Sequence, residues 1–263
     1  MTSTGVVRDM VQNHLLQLLT MVAMEPPVSL DADSLRDEKV EMLRAIRRWT
    51  PDEAIQNTVL GQYRGYLDET DIASDSLTAT YSSLRLFVDN ERWNGVPFYL
   101  RTGKAMAEKV TEIVIEFRRP DHSMFASSDG KAVKPNVLSL CLQPDEGIHL
   151  RFEVKVPDQG MTHQSKSMEF HYESAFKGQA IPEAYERLLQ DALEGDPALF
   201  IRSDHIEEGW RIVGPLFQGP DDLGRRPAIY EPGSWGPEAA DALLSQDDRI
   251  WNRVCGFHGD AGA

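Results

Sequence analysis

The sequence predicts an α+β fold in which a large, mostly antiparallel (mixed) β-sheet has helices packed on one face and helices at both ends of the chain. Two amphipathic helical segments come first, short β-rich segments separated by turn residues fill the middle, and helical patterns return towards the end. Helices followed by strands and then by helices are typical of this class, whereas a parallel sheet needs alternating strands and helices. The 263 residues, 41% of them hydrophobic, are enough to bury a sizeable core, and we expect one domain over residues 1–263.

The first helix is predicted over residues 9–24. Asp9 is placed to cap it, and Pro26 follows its end. His14 is expected beside the apolar stripe, where its imidazole would be partly desolvated. On this pattern alone, such a histidine is more often a hydrogen-bonded core residue than a catalyst. The apolar stripe consists of Val11, Leu15, Leu18, Leu19 and Val22.

A second helix is predicted at about 33–49, capped by Asp33 or Ser34 and ended by Thr50-Pro51. The pattern then changes to β-rich segments, and residues 111–117 alternate in polarity as a half-covered strand does. The expected strands are about 59–63, 78–89, 97–101, 110–118, 137–142, 148–156 and 166–172, and further helices are expected at about 182–194, at 203–210 and after Pro237.

Neither common fingerprint of a nucleotide-binding loop occurs in the sequence. There is no Gly-x-Gly-x-x-Gly, and the glycine cluster of residues 233–237 lacks that spacing. Residues 101–104 resemble the end of a Walker loop, but Ala105 stands where a serine or threonine would ligate magnesium. The sequence therefore predicts no Rossmann domain within these residues.

Charge and cysteine content narrow the class of protein. The net charge of −15 argues against nucleic acid and anionic membranes as partners, because both attract clustered Lys and Arg. The apolar stretch 15–24 is too short to span a bilayer and has no signal-peptide cleavage site. The two cysteines, Cys141 and Cys255, have no metal-ligand spacing, so neither a disulfide framework nor a metal site is expected. These features point to an acidic cytoplasmic protein that acts on small metabolites.

Seven separated blocks of the sequence resemble the glucose-6-phosphate dehydrogenase family, in the family's own order. The first reads Arg-Asp-Met-Val-Gln-Asn-His-Leu-Leu-Gln-Leu. The resemblance runs from end to end but is limited to the family's C-terminal substrate and oligomerisation domain, so the N-terminal coenzyme domain is expected to lie outside this sequence. The blocks are residues 8–18, 37–40, 59–63, 90–104, 142–144, 184–188 and 233–241.

The resemblance implies an NADP-dependent oxidoreductase of the pentose phosphate pathway, which oxidises the C1 hydroxyl of glucose 6-phosphate to a lactone. The histidine that matches His14 is the family's general base, and the aspartate that matches Asp9 holds the sugar. Lys104 and Lys109 match positions that bind the phosphate, and Gln143 matches a glutamine that is close to the phosphate in some relatives.

Other interpretations of these residues stay open at this stage. Without the resemblance, Asp9 is a plain helix cap, and the two lysines are exposed residues of a strand. On a regular α-helix, positions i and i+5 are about 140° apart. Asp9 and His14 could then reach one sugar only if Asp9 stood at the helix entrance.

Some relatives carry a second, structural dinucleotide, for which Arg101 and Arg151 are candidate ligands. Cys141 and His149 stand where an arginine and a tyrosine are expected, which argues against this site.

The resemblance further implies a homodimer that forms through the sheet. Since the coenzyme domain is expected elsewhere, we expect the chain alone to be inactive. Two alternatives stay open. One is a split enzyme whose coenzyme domain is a separate chain; the other is a non-catalytic paralogue that binds sugar phosphate or assembles with the full-length enzyme. The presence of His14 favours the catalytic alternatives.

Overall fold

A computed structural model describes residues 5–119, 133–160, 162–177, 184–217, 226–253 and 255 of the chain. The chain divides into two compact units. Met1–Ala107 and Pro182–Ile250 belong to the first unit, and Glu108–Ile181 and Trp251–Ala263 belong to the second. The assignment of all 263 residues to one domain stays a prediction.

Helices begin and end the described chain, and most strands lie between them. The helical elements are the π-helical segment Val7–Leu15, α1 (Leu16–Ala23), α2 (Ala32–Arg44), α3 (Pro51–Gln56), α4 (Tyr172–Ala175), α5 (Ala184–Glu194), α6 (Ser203–Val213), α7 (Glu238–Ser245) and two 3-10 helices, Tyr66–Asp68 and Gly214–Phe217. The strands are β1 (Thr58–Tyr63), β2 (Tyr81–Phe87), β3 (Pro97–Gly103), β4 (Thr111–Glu116), β5 (Val137–Gln143), β6 (Gly147–Lys155), β7 (His163–His171) and β8 (Ala228–Tyr230). Of the helices in the described ranges, none is both long and apolar enough to cross a membrane.

The described strands form two four-stranded sheets. The first has the order β3-β2-β1-β8, with antiparallel neighbours except for the parallel pair β1–β8. The second is an antiparallel meander in the order β4-β5-β6-β7. The predicted α+β class with mostly antiparallel strands is confirmed, but the strands are divided between two sheets where one large sheet was expected.

The division between the sheets occurs in the segment that joins β3 to β4. Ala105 in this segment has a positive φ of 50°, which breaks the extended conformation. The backbone of the segment then bonds to residues 233–234: the Gly233 N–H donates to the Ala105 carbonyl at 2.8 Å, and the Ala107 N–H donates to the Ser234 carbonyl at 2.9 Å. β3 and β4 are therefore edge strands of different sheets.

The first helix begins earlier than predicted and contains a wide turn. The N–H of Leu16 donates to the carbonyl of Val11, five residues back, as in a π-helix. This wider turn shifts the buried stripe by one residue, because Leu15 is only partly buried and Leu16 takes its place in the core. The predicted stripe agrees with the buried residues at Val11. After Val11, the buried residues are mostly one position later in the sequence than predicted. The buried residues are Val7, Val11, Leu16, Leu19 and Ala23.

The second helix begins and ends earlier than predicted. Asp31 caps α2 in place of Asp33 or Ser34, because its carboxylate accepts the N–H groups of those two residues at 3.0 and 2.9 Å. α2 ends at Arg44 and not near residue 49.

Thr50 begins a helix and does not merely end one. Its side chain and that of Glu53 form a capping box, with Pro51 at the start of α3. The Thr-x-x-Glu pattern is the sequence signal for this helix, and Pro51 is compatible with its first position as well as with the end of the preceding helix.

All seven predicted strands are confirmed, with boundaries that differ by a few residues. The short strand β8 was not predicted, because three residues are too few to show alternation. The helices predicted at 203–210 and after Pro237 are confirmed as α6 and α7. The helix predicted at 182–194 is confirmed as α5 from residue 184, and residues 182–183 lie outside the described residues.

A disulfide joins Cys141 on β5 to Cys255, so the expectation of no disulfide is wrong. The two cysteines are 114 residues apart in the sequence, which hides that the C-terminal segment lies beside the second sheet. This segment is also held by the Cys255 N–H, which donates to a carboxylate oxygen of Glu112 at 3.1 Å. The cysteine content therefore no longer supports a cytoplasmic location.

Candidate functional site

Asp9 and His14 lie on one face of the π-helical segment. In a π-helix the backbone hydrogen bond joins residues i and i+5, so these two residues are one turn apart and share a face. Both side chains are exposed. On an α-helix the same spacing would separate them by about 140°. The wide turn thus presents a carboxylate and an imidazole together to solvent.

Two details of the prediction for this pair are wrong. Asp9 does not cap the helix, because the cap position is Val6 and Asp9 lies in the first turn. His14 is exposed and is not partly desolvated beside the apolar stripe. Both differences follow from the earlier helix start and the wide turn.

Lys104 is tied to the start of the π-helical segment through two adjacent carbonyl groups. The Ala79 carbonyl accepts the Val6 N–H at 2.9 Å, and the Thr80 carbonyl accepts the Lys104 N–H at 2.9 Å. Ala79 and Thr80 are consecutive residues, and consecutive Cα atoms are about 3.8 Å apart, so the two hydrogen bonds are close together. β3, which ends one residue before Lys104, also packs against the π-helical segment. The first unit therefore brings Lys104 close to the end of the helix that carries Asp9.

Buried aromatic side chains fix the backbone of Lys104. The hydroxyl of Tyr230 donates to the Lys104 carbonyl at 2.7 Å and lies 3.1 Å from the hydroxyl of Thr80. Burial raises the pKa of Tyr230, so the hydroxyl keeps the proton that this bond needs. The rings of Tyr230 and Tyr81 pack with their centroids 5.5 Å apart. Sequence reasoning missed Tyr230, whose only signal is its place just before the glycine cluster of residues 233–237.

Gly236 leaves room for the ring of Tyr81 in this support. A Cβ at position 236, where φ is +107°, would lie 2.4 Å from the Cε2 atom of Tyr81. Gly233 in the same turn has φ +78°, but apart from its two chain neighbours no atom of the described residues lies within 4 Å of a Cβ there. An alanine at position 236 would therefore cause both backbone strain and steric crowding, whereas an alanine at position 233 would cause backbone strain alone.

We expect Gly236→Ala to lower the free energy of unfolding by roughly 2–5 kcal/mol, the sum of left-handed strain and overpacking. The control variant Gly233→Ala should lose only the strain, roughly 1–2 kcal/mol. Urea unfolding of both variants and the wild type measures the two losses. Equal losses would show that the contact with Tyr81 imposes no steric demand.

The ammonium group of Lys104 is available to an anion. The residue is partly buried, and within the described ranges no carboxylate forms an ion pair with it. Residues 101–119 carry five Lys or Arg and three Glu, although the whole chain has a net charge of −15. A local excess of positive charge suits a phosphate dianion.

Lys109 and Gln143 belong to the second unit. Lys109 is exposed and precedes β4, which begins at Thr111. Thr111 is the register partner of Gln143, the exposed last residue of β5, so the two candidates lie at the same end of the β4–β5 pair. The predicted binding residues thus fall into two sets: Asp9, His14 and Lys104 in the first unit, and Lys109 and Gln143 in the second.

The two arginines expected at a structural dinucleotide have protein contacts of their own. Arg101, in the first unit, lies over the ring of Trp235, with its guanidinium carbon 5.1 Å from the centroid. Arg151, on β6 of the second unit, donates to a side-chain oxygen of the C-terminal segment at 3.4 Å. Cys141 is bonded in the disulfide, and His149 packs against a second histidine. The second dinucleotide stays a prediction.

A small open cavity of about 120 Å³ lies between the π-helical segment and α6, and none of the candidate residues lines it. Gln12 and Asn13 line it on one side, and His205 and Ile206 line it on the other. The pKa of His205 is lowered, first by burial and then by a nearby ammonium group. Asp9 and His14 therefore lie on the exposed face of the helix and not at this cavity.

The described residues do not fit a dinucleotide-binding fold. Such a fold needs parallel strands joined through helices and a glycine-rich turn at a helix N-terminus. Among the described strands only β1 and β8 are parallel, over three residue pairs, and the sequence has no Gly-x-Gly-x-x-Gly. The described residues therefore provide no Rossmann-type site for a nicotinamide coenzyme.

Comparisons with known proteins point to one family. The family described as "Glucose-6-phosphate dehydrogenase, C-terminal domain" matches residues 2–252. The glucose-6-phosphate 1-dehydrogenase of Aggregatibacter actinomycetemcomitans is 44% identical over 97% of this chain and 52% of its own length. The chloroplastic glucose-6-phosphate 1-dehydrogenase of Solanum tuberosum is 40% identical over 96% of this chain and 45% of its own length.

Two solved structures agree with this match. The crystal structure of glucose-6-phosphate 1-dehydrogenase from Mycobacterium avium is 42% identical with a TM-score of 0.79, over 95% of this chain and 51% of that one. A glucose-6-phosphate dehydrogenase in complex with its substrate glucose 6-phosphate is 36% identical with a TM-score of 0.84, over the same shares of 95% and 51%. The chain thus spans about half the length of these relatives. Since one family description covers nearly all of it, the chain belongs to the glucose-6-phosphate dehydrogenase family and corresponds to its C-terminal domain.

Proposed function

We propose that this chain is the substrate-binding half of an NADP-dependent glucose-6-phosphate dehydrogenase, which oxidises D-glucose 6-phosphate to 6-phosphogluconolactone in the pentose phosphate pathway. The observation that carries the proposal is the π turn, which presents Asp9 and His14 on one exposed face close to Lys104. Membership of the family supports the same assignment.

In the proposed reaction, His14 accepts the proton of the C1 hydroxyl while a hydride leaves C1. Histidine suits this step because it exchanges a proton readily near neutral pH, and an exposed imidazole is accessible to a sugar hydroxyl. The Asp9 carboxylate would accept hydrogen bonds from ring hydroxyls. Lys104 would bind the phosphate. Lys109 and Gln143, which belong to the second unit, stay separate candidates that rest on the family resemblance. NADP, held outside the described residues, would accept the hydride.

The full chain should bind glucose 6-phosphate with an affinity of about 1 mM, and more tightly than glucose, because the phosphate adds charge-assisted contacts. Lys104→Ala should weaken glucose 6-phosphate binding by about tenfold to a hundredfold, since such a contact contributes roughly 1.5–3 kcal/mol, and should leave glucose binding unchanged. Arg48→Ala removes an exposed cation that we place outside the pocket and is the control.

Calorimetry or ligand-observed NMR at low and high salt measures these affinities, and the preference for the phosphorylated sugar should shrink at high salt. Equal binding of the two sugars, or equal effects of the Lys104 and Arg48 variants, would remove Lys104 from the phosphate site.

We also propose a homodimer that forms through the second sheet. One face of this sheet is apolar, because residues in register across its strands form two rows of large side chains. Met168 is 62% exposed and Phe170 is 39% exposed on this face. A continuous apolar surface of this kind is typical of an interface, and a second copy of the chain is the occupant that we expect. The first row is Ile113, Leu140, Ile148 and Phe170, and the second is Ile115, Leu138, Leu150 and Met168.

Met168→Asp should convert the dimer to a monomer at micromolar concentration, because it places a charge on the apolar face that the second copy would bury. Ser167→Asp adds the same charge to the adjacent exposed residue on the opposite face and should leave the dimer intact. Light scattering measures the mass. A wild-type monomer, or a dimer that persists in the Met168 variant, would place the contact elsewhere.

The split enzyme and the non-catalytic paralogue, the two alternatives to this proposal, predict different results in a complementation experiment. A split enzyme predicts that a separate coenzyme-binding chain restores activity. A non-catalytic paralogue predicts sugar-phosphate binding or dimerisation without activity under any complementation. We retain the cytoplasmic location as part of the proposal.

A further inference from the structure

We propose that His149, Glu169 and His171 form a binding site for a divalent transition-metal ion, for which Zn²⁺ is the best match. The three side chains each offer one ligand atom, and these atoms all lie within 4.8 Å of one another. They belong to the second unit, on the face of the sheet opposite the two apolar rows. The site is independent of the proposed sugar-phosphate chemistry.

Strand register brings the three residues together. His149 on β6 is directly opposite Glu169 on β7, so their side chains are on the same face. His171 is two residues beyond Glu169 and therefore shares that face. The imidazole rings of His149 and His171 are in contact, with centroids 5.1 Å apart.

His149 supplies the observation that points to a ligand. The residue is only 6% exposed, yet its Nε2 atom has no hydrogen-bond partner within the described residues. A buried polar atom without a partner costs roughly 1–3 kcal/mol, which a bound ligand would recover. A metal ion at the cluster would give this nitrogen its partner.

His171 is oriented for the same role. Its Nδ1 atom lies 2.8 Å from a carboxylate oxygen of Asp145, which favours the tautomer with the proton on Nδ1. The lone pair is then on Nε2, which is 3.7 Å from a carboxylate oxygen of Glu169. A carboxylate that holds the far nitrogen of a ligating histidine is a common feature of zinc sites.

Gly147 lies beside both imidazoles and against the backbone of β7. A Cβ at this position would lie 3.5 Å from the Nε2 atom of His149 and 3.5 Å from the Nδ1 atom of His171. It would also lie 2.6 Å from the Phe170 carbonyl oxygen, so only glycine fits opposite His171.

The donor set selects the metal. Two imidazoles and a carboxylate suit Zn²⁺ and its neighbours in the first transition row, whereas Mg²⁺ and Ca²⁺ prefer oxygen ligands alone. Ligands of a tetrahedral zinc are about 3.3 Å apart, so the cluster must contract modestly around the ion. The half-exposed side chain of Glu169 can make that adjustment and leaves the fourth position to water. The expectation of no metal considered only cysteine spacing, and these ligands are joined by register across two strands.

The test is a Zn²⁺ titration of the full chain in competition with a chromophoric chelator. We expect one Zn²⁺ per chain with a dissociation constant of about 1 μM or below. His171→Ala and Glu169→Gln, which change partly exposed residues, should each weaken binding at least about tenfold to a hundredfold. Asp145→Asn should weaken it about tenfold, because the ligand remains but its orientation is lost.

His163→Ala is the matched control, since His163 lies at the opposite end of β7 and should not affect the affinity. Zn²⁺ should also raise the melting temperature of the wild type and of His163→Ala but not that of His171→Ala. No stoichiometric binding by the wild type, or equal affinity in the His171 and His163 variants, would overturn the proposal.

Discussion

His14→Asn is expected to lower kcat by about 10²- to 10⁴-fold in a protein in which this chain is joined to the remaining half of a relative. The asparagine side chain stays polar but cannot take up the proton of the C1 hydroxyl. Since His14 is exposed, the substitution should leave the fold and the affinity for glucose 6-phosphate almost unchanged.

Steady-state NADP reduction measures this effect, and chemical rescue separates a base from a structural residue. Added imidazole should restore part of the activity of His14→Ala, because the exposed helix face admits a small base. It should not restore the activity of Lys104→Ala, whose defect is in phosphate binding. A His14→Asn protein with wild-type kcat would remove His14 from the chemistry.

Loss of the disulfide between Cys141 and Cys255 is expected to lower the free energy of unfolding by roughly 2–5 kcal/mol. The bond closes a loop between residues 114 positions apart, so it restricts the unfolded chain strongly. Without the bond, the C-terminal segment keeps non-covalent contacts with the second sheet, such as the Asn252 amide, which donates to a carboxylate oxygen of Glu116 at 3.0 Å.

Urea unfolding with and without reductant measures this loss. The double variant C141A/C255A should unfold like the reduced wild type and should show no response to reductant, which is the control for direct effects of the reductant. If the wild type is equally stable in both conditions, or if both thiols react with a labelling reagent before reduction, the bond does not stabilise the fold.

The meander and most helices could be predicted because their local patterns are unambiguous. In β4, Ile113 and Ile115 alternate with polar or smaller side chains, and the structure pairs them with Leu140 and Leu138 on one face of the sheet. Turn residues separate the strands, and such signals need no knowledge of distant contacts.

The π turn could not be predicted, because two neighbouring pairs of leucines fit either phase of the helix. Leu15 and Leu18 continue an α-helical stripe from Val11, whereas Leu16 and Leu19 continue the stripe that the structure buries. Only packing against the rest of the first unit decides between them. The exposure of His14 and its alignment with Asp9 depend on that choice.

The disulfide and the His149 cluster were missed for a different reason. Cys141 and Cys255 are 114 residues apart, and His149 meets Glu169 only through the register of β6 and β7. Sequence spacing carries no signal for contacts of this kind. Residues that depart from the family pattern, such as Cys141 and His149, were the available indication.

NADP reduction by the full chain alone, compared with the same chain joined to the remaining half of a relative, tests the central claim most directly. The chain alone should show no turnover of glucose 6-phosphate, because the described residues do not form a dinucleotide-binding fold that could position a nicotinamide at C1. The joined protein should turn over and should lose most of its activity in His14→Asn. Turnover by the chain alone that persists after removal of host enzyme and vanishes in His14→Asn would contradict the claim that it is only the substrate half. A correctly folded joined protein without activity would contradict the claim that this chain supplies the general base, His14.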